Sequence, residues 1–317
     1  MAFQDVLVLM LLLVWGCAYI LLTQPLDFGD ASKISFELLA RSSLLPSWAL
    51  ALVRLSCGGL VWWSCWHLVT DADGLRMEVL MRDGSNKKVH LKHYERFTTF
   101  TVWCWAIQGL YYAIASFASL SDAGWLPVVL SPSPVGAPVA VACQVAWVLY
   151  EVSFAVAFLV SAVVTFVLIP ATVRRGLLLD SFYLLLPLIM HNLNALNMAL
   201  ELSLNSLTFC PAHVVFVLLF GMAYVLFSWY WWSQRGIFYY FFLDYERPAT
   251  VLWHLGLLSL LGACFAGGAA LSYHVKRGSA GAFAALFVAT FGVMKLPPVA
   301  RWGQVGLRSR QPHPSTR

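Results

Sequence analysis

The stretch IMHNLNALNMALELSLN, residues 189–205, decides how the rest of the chain is read. It sets His191, Asn192, Asn194, Asn197, Glu201 and Asn205 inside an apolar run of a chain that is 60% hydrophobic and 11% charged. At helical spacing His191, Asn194, Met198, Glu201 and Asn205 fall on one face. A polar stripe on a helix that otherwise suits lipid is expensive, so it must face protein or a cavity.

The surrounding composition excludes an ordinary water-soluble domain. The chain has 317 residues and 14 Trp, with a mean hydropathy of +0.75. Apolar runs at 6–22, 48–69, 98–120, 139–169, 177–204, 214–232 and 251–271 approach or exceed the roughly 20 residues that cross a bilayer as helix. A shorter Ala/Gly-rich run occupies 280–294. This pattern predicts an all-α, polytopic transmembrane bundle of seven to eight spans. It forms one integral membrane domain over 1–296, followed by a basic, disordered tail at 297–317. The first run lacks a basic leader and a small-residue cleavage site, so it is expected to be retained. Seven Cys are scattered singly without a CxxC pair, which indicates neither a disulfide framework nor a zinc site. No metal or cofactor is expected. The net charge of +5 resides mainly in loops and tail, so it bears on topology and predicts no nucleic-acid partner.

Lys and Arg fall unevenly between the two sides. Six lie in the 70–97 loop, two at Arg174 and Arg175, and two at Arg235 and Arg247, against Lys33 and Arg41 on the other side. The bias places the 70–97 loop in the cytosol, and an eighth span would bring the basic tail to the same side. Within that loop, LRMEVLM and KKVHLKHY alternate around RDGSN, which predicts a short cytosolic β-hairpin. His90 and His93 within it read as surface residues. SPSPVGAP, 131–138, reads as a turn-rich loop on the far side.

Pro187 suits the first turn of a helix, so the crossing part of the fifth run starts near it, with 176–185 as an interfacial lead-in. His191 then lies about one turn below the cytosolic face. Thr98, Thr99 and Thr101 open the third run from the same face. A hydroxyl and an imidazole at matched depth are the minimum pair for nucleophilic catalysis. The same His and Asn residues equally suit hydrogen bonding between packed helices. Glu201 cannot orient His191, because ten residues of helix separate them by about 15 Å. Arg54, Glu151 and Glu201 are intramembrane charges, each costing roughly 2.5–3.5 kcal/mol if unpaired. A pair between Arg54 and one of the two carboxylates is expected.

RFTTFTVWCWAIQ, LLLDSF, the His191-to-Glu201 spacing and GMAYVLFSWYWWSQRGIFYYFFLD resemble the androgen-induced-gene membrane threonine hydrolases. WVLYEVSFAVAFLVSAVVTF and HNLNALNMALEL are equally similar to the related rolling-stone proteins. The resemblance covers roughly residues 92–271. It implies an integral membrane hydrolase of fatty acid esters of hydroxy fatty acids, with Thr99 as nucleophile and His191 as base. Asn194, one turn deeper, would hold the imidazole or donate to the oxyanion. Pro187 and Leu188 stand where those hydrolases carry an additional Asn-His pair, a departure toward the rolling-stone branch. That branch implies a non-enzymatic membrane scaffold or fusion protein in which the stripe is interhelical glue. A transporter or receptor would fit the intramembrane charges but lacks visible repeats. A haem or di-metal enzyme lacks its His boxes. The expected partner is a membrane lipid or fatty acid ester, and the expected site an endomembrane, such as the endoplasmic reticulum, or the plasma membrane.

Overall fold

Helix formation follows the apolar runs closely. A computed structural model describes residues 2–30, 33–126, 137–177, 179–247 and 249–296. The chain runs through α1 (Ala2–Thr23), the short α2 (Phe36–Ala40) and α3 (Ser47–Thr70), then strands β1 (Leu75–Leu80) and β2 (Asn86–Leu91). It continues into α4 (Phe100–Asp122) and α5 (Ala137–Val163), which passes through a π turn (Val164–Leu168) into α6 (Ile169–Arg174). Next come α7 (Leu185–Leu188), a second π turn (Ile189–Leu193) and α8 (Asn194–Leu204), then α9 (Val214–Arg235), α10 (Thr250–Lys276) and α11 (Ala280–Val293). Most of the turn-rich loop expected at 131–138 and the whole tail at 297–317 lie outside the described residues.

The chain is a multi-pass helical membrane protein in its composition. Five helical stretches are long and apolar enough to cross a membrane: Phe3–Thr23, Ser47–Thr70, Val139–Arg174, Pro211–Arg235 and Thr250–Lys276. The runs at 98–120 and, from Leu185 onward, 177–204 also fold as helix, but Gln108, Tyr111 and Tyr112 in one and the Asn-rich stripe in the other dilute their hydropathy. Helix α11 has 14 residues, about 21 Å of rise against a hydrocarbon core of about 30 Å.

Helix α5 is the hub. Its most apolar window is 72% buried, against 17% for α1 and 22% for α10. Trp147, Tyr150 and Phe154 are fully or almost fully enclosed there. Glycines let two partners approach closely. A Cβ on Gly109 would stand 2.8 Å from Val61 Cγ1, and one on Gly58 would stand 3.0 Å from the Tyr112 Cβ, so α3 and α4 cross where small residues remove the barrier. Gly268 similarly admits the Phe154 ring, 2.7 Å from where its Cβ would be.

The hairpin forms as its alternation requires, antiparallel, with Leu75 opposite Leu91 and Leu80 opposite Asn86. Val79 and Leu91 bury their side chains against Ile237 and Tyr239 of the loop after α9. Arg82 fastens the tip: it pairs with Asp244 at 3.1 Å and Glu246 at 2.8 Å and stacks 4.0 Å above the Trp232 ring.

Among the intramembrane charges, Arg54 pairs with Glu201 at 2.6 Å, both essentially without solvent exposure. The same guanidinium donates to Leu39 O (2.7 Å), Ala115 O (3.1 Å) and Ser119 Oγ (2.7 Å). Tyr111 donates its hydroxyl to Glu201 at 2.6 Å. Glu151 belongs to a different cluster. It accepts the Cys210 backbone N–H and contacts His213 Nδ1, each at 2.7 Å, while His213 Nε2 donates to Leu26 O at 3.0 Å. Nothing in the sequence pattern singled out His213, which caps the start of α9 at the end opposite the hairpin.

Removing one partner of a buried pair strands the other, at a cost of about 3–5 kcal/mol. Arg54→Met and Glu201→Gln should each lower the unfolding midpoint strongly in detergent. The double variant should recover part of the loss, with a coupling of about 1–3 kcal/mol. Combining Arg54→Met with Glu151→Gln should be additive.

Candidate functional site

Thr99 and His191 both line one cavity of about 340 Å³ at the hairpin end of the bundle. Its floor and walls come from the ends of α3 and α4, from α6 and α7, and from residues 239–241. The hairpin supplies a roof through Leu75, Met77, Glu78 and Leu80. Polar groups punctuate an otherwise apolar lining: His67, Asp71, Arg96, Thr172 and Arg175 as well as the two predicted residues.

Thr99 is the N-cap of α4, with β-region dihedrals of φ −92° and ψ 144°. Its hydroxyl donates back to Arg96 O at 3.0 Å instead of capping the helix. The first N–H groups of α4 therefore keep the unsatisfied donors and partial positive charge of a helix start. Thr98, one residue earlier, points elsewhere and joins Glu95 O and the Tyr239 hydroxyl.

His191 sits in the second π turn. Its Nδ1 is buried without a hydrogen-bond partner, its ring faces Phe182 at 6.4 Å, and its backbone carbonyl accepts from Ser161 Oγ at 2.6 Å. The wider i→i+5 turn rotates His191 away from the stripe that begins at Asn194. The turn therefore divides the single face expected of His191 and Asn194. Asn194 is fully buried, both its side-chain polar atoms lack partners, and it is absent from the cavity lining. The lower stripe serves packing and ion pairing. Tyr112 donates to Asn197 O at 2.9 Å, and Lys276 joins Asn205 Oδ1 at 2.8 Å. Asn192 binds both the N–H and the carbonyl of Lys295.

Among the described residues, the Thr99 hydroxyl and the His191 ring share the cavity without a hydrogen bond between them. No three His, Cys, Asp or Glu side chains there gather as metal ligands.

Two cavity residues were not anticipated as functional. Arg96 is buried and donates to Leu68 O (3.3 Å) and to Asp71 (2.7 Å), locking the end of α3 to the entry of α4. Arg175 joins Asn86 of the hairpin through Nη1 at 3.1 Å, but its Nε is buried and unpartnered. Burial disfavours its charge, and the nearby Arg247 adds to this while Glu78 opposes it. A ligand anion would relieve that arrangement. The sequence carried only the basic character of these positions, and their convergence depends on tertiary structure.

Compared with family models, curated proteins and solved structures, the chain matches none.

Burial alone would raise the Asp71 carboxyl, but hydrogen bonds from Arg96 and the Asp73 N–H, together with the Arg96 charge, hold it below the usual carboxylate range. A depressed acid stabilises the fold above its unfolded-state value, near pH 4, and that stabilisation is lost as pH falls through the lower folded value. Asp71→Asn should therefore melt below wild type at pH 7, and the gap should close as the pH drops below about 4.

Proposed function

We propose that the chain is an integral membrane hydrolase of lipid esters, with Thr99 as nucleophile and His191 as base. The supporting observation is that these two residues, far apart in sequence, line one cavity whose inner wall adjoins a largely apolar chamber. Thr101, Leu168 and Tyr240 line both spaces. An ester could rest at the junction with its polar end under the hairpin.

On this reading Thr99 Oγ attacks the acyl carbonyl and its proton passes to the His191 ring. The tetrahedral oxyanion lies at the start of α4, where the free first-turn N–H groups donate to it. Collapse breaks the ester bond, and His191 returns the proton to the departing alkoxide. Water, deprotonated by the same ring, then releases the acyl group from Thr99. Attack requires the Thr99 hydroxyl to leave Arg96 O and approach the imidazole to about 2.6–3.2 Å. Arg175 Nε provides a donor for a free carboxylate on the substrate, which suits fatty acid esters of hydroxy fatty acids. In the membrane, α4 and the α7–α8 segment would also cross, giving seven spans, or eight with α11, and the hairpin would be cytosolic.

A specific observation favours a second reading. The Thr99 hydroxyl is already satisfied by Arg96 O, and among the described residues no group bonds His191 Nδ1, while Glu201 is engaged by Arg54 and Tyr111. A scaffold of the rolling-stone kind needs neither contact.

Purified protein offered a branched fatty acid ester separates the two. Thr99→Ala, His191→Ala and the double variant should each lose about 10²–10⁴ in kcat, without additivity, because members of one catalytic unit fail together. Thr98→Ala should retain most activity. Arg175→Gln should raise KM about tenfold for an ester with a free carboxylate and leave its methyl ester unaffected. Turnover by wild type equal to that of the double variant would establish the scaffold.

A further inference from the structure

The cavity that holds Thr99 and His191 is not closed on every side. Among the described residues that line it, the exposed ones are Trp63, His67, Leu184 and Leu185. The rest are buried or half-buried. Trp63 is 44% exposed, Leu184 39% and Leu185 46%. Two elements carry all four: α3, and α7 with the residue that precedes it. These elements adjoin, because Leu68 and Leu186 join one apolar cluster with Val102 and Met190. The hairpin covers the end of the cavity, so this mouth opens sideways.

The level of the mouth in a bilayer follows from α3. Its 24 residues rise about 36 Å against a hydrocarbon core of about 30 Å, so about 3 Å projects at each end of the centred helix. Trp63 lies seven residues before Thr70, about 10 Å along the axis and hence about 7 Å inside the hydrocarbon. His67, one turn nearer the hairpin, falls close to the boundary. The two rings meet edge to face at 5.4 Å. An indole, an imidazole at headgroup level and two leucines are what a membrane interface accommodates.

Size and polarity then decide what fits. A cavity of about 340 Å³ is at the lower end of the range that encloses a drug-sized molecule, and the chamber behind it adds only about 90 Å³. A long hydrocarbon chain cannot be enclosed there and must leave through the opening. The interior, by contrast, is polar toward the hairpin. Arg96 holds Asp71 at 2.7 Å, and Arg175 Nε is a buried donor without a partner. A polar interior behind an apolar mouth matches an amphiphile that enters head first.

We infer that the gap between α3 and α7 is a lateral port through which a lipid of the hairpin-side leaflet enters, its anionic head directed to Arg175 and its hydrocarbon left in the bilayer against Trp63, Leu184 and Leu185. The port concerns access and binding, and it stands whether or not Thr99 reacts. Because the chain is not enclosed, its length beyond the rim carries no selectivity.

The test is photolabelling of the full chain in phosphatidylcholine nanodiscs, with adducts located by mass spectrometry. The probes are two long-chain fatty acids, one with a diazirine beside the carboxyl group and one with it near the methyl end. The first should mark the interior at Phe182, Met190 or Tyr239, and the second the rim at Trp63, Leu184 or Leu185. Each should exceed labelling of Leu252, an outward residue 73% exposed, by about tenfold, the factor expected of one charge-assisted hydrogen bond. Leu185→Trp narrows the port at an exposed position and should reduce interior labelling to the level of Leu252. Thr99→Ala should label as wild type does, which separates a failure of the port from a failure of catalysis. If Leu185→Trp does not fold, the comparison of the two probes on wild type still decides. Adducts of the methyl-end probe in the interior or at Leu261 would overturn the inference, since the chain would then point inward. So would labelling no greater than at Leu252, or interior labelling undiminished in Leu185→Trp.

Discussion

The arrangement of the bundle depends on one buried cation. A guanidinium shut away from water must have its donors met by protein, because an unpaired charge in that setting is among the most expensive features a fold can hold. Arg54 meets this condition by drawing on three other elements: the Leu39 carbonyl at the end of α2, Ala115 and Ser119 on α4, and Glu201 on α8. Each acceptor fixes the depth and rotation of its helix. The short α2, too brief to be stable alone, is held because its terminal carbonyls receive Arg54 and Ser119. The rotation of α8 is set in the same way, and with it the position of the π turn at its other end.

The two ends of the molecule are consequently different in kind. Away from the hairpin, the buried charged side chains are matched: Arg54 with Glu201, Glu151 with His213, and Lys276 with the carbonyls that end α8. Toward the hairpin, Arg175 Nε, His191 Nδ1 and His254 Nε2 lack partners, and the two cavities lie among them. Unsatisfied donors and acceptors next to empty volume are what a ligand site requires before its ligand arrives.

Much of this was legible in the sequence because it follows from local periodicity. The apolar runs gave the helices, RDGSN gave the hairpin, and Pro187 gave the start of α7. Arg54 and Glu201 could be matched because burial of a charge demands a partner at its own depth. What escaped was whatever depended on helix rotation or on loops folding back. His213 stands beside Pro211 at the start of an apolar helix, with nothing in its neighbourhood to connect it with Glu151. Arg175 read as one more cytosolic charge until Asn86 of the hairpin was brought against it. The hairpin itself was foreseen, but its function as a roof was not, since its seat on Ile237 and Tyr239 lies about 150 residues away in sequence.

The most instructive departure concerns five residues. A strict α-helical count puts His191 and Asn194 on one face, and a stripe with four polar residues, His191, Asn194, Glu201 and Asn205, then looks like a single feature. The π turn at Ile189–Leu193 divides it. One additional residue in the turn is enough to direct His191 toward the cavity and leave Asn194 facing inward. The opening frees a backbone carbonyl, which Ser161 satisfies from α5, itself only a few residues before the other π turn. Such turns are costly relative to regular helix and survive where something holds them. Here the holding group is a serine one helix away, so the π turn is fastened to α5. The polar stripe that opened the question is therefore two structures. Its lower part, Asn194 to Asn205, fastens helices together, and its first residue belongs to the cavity.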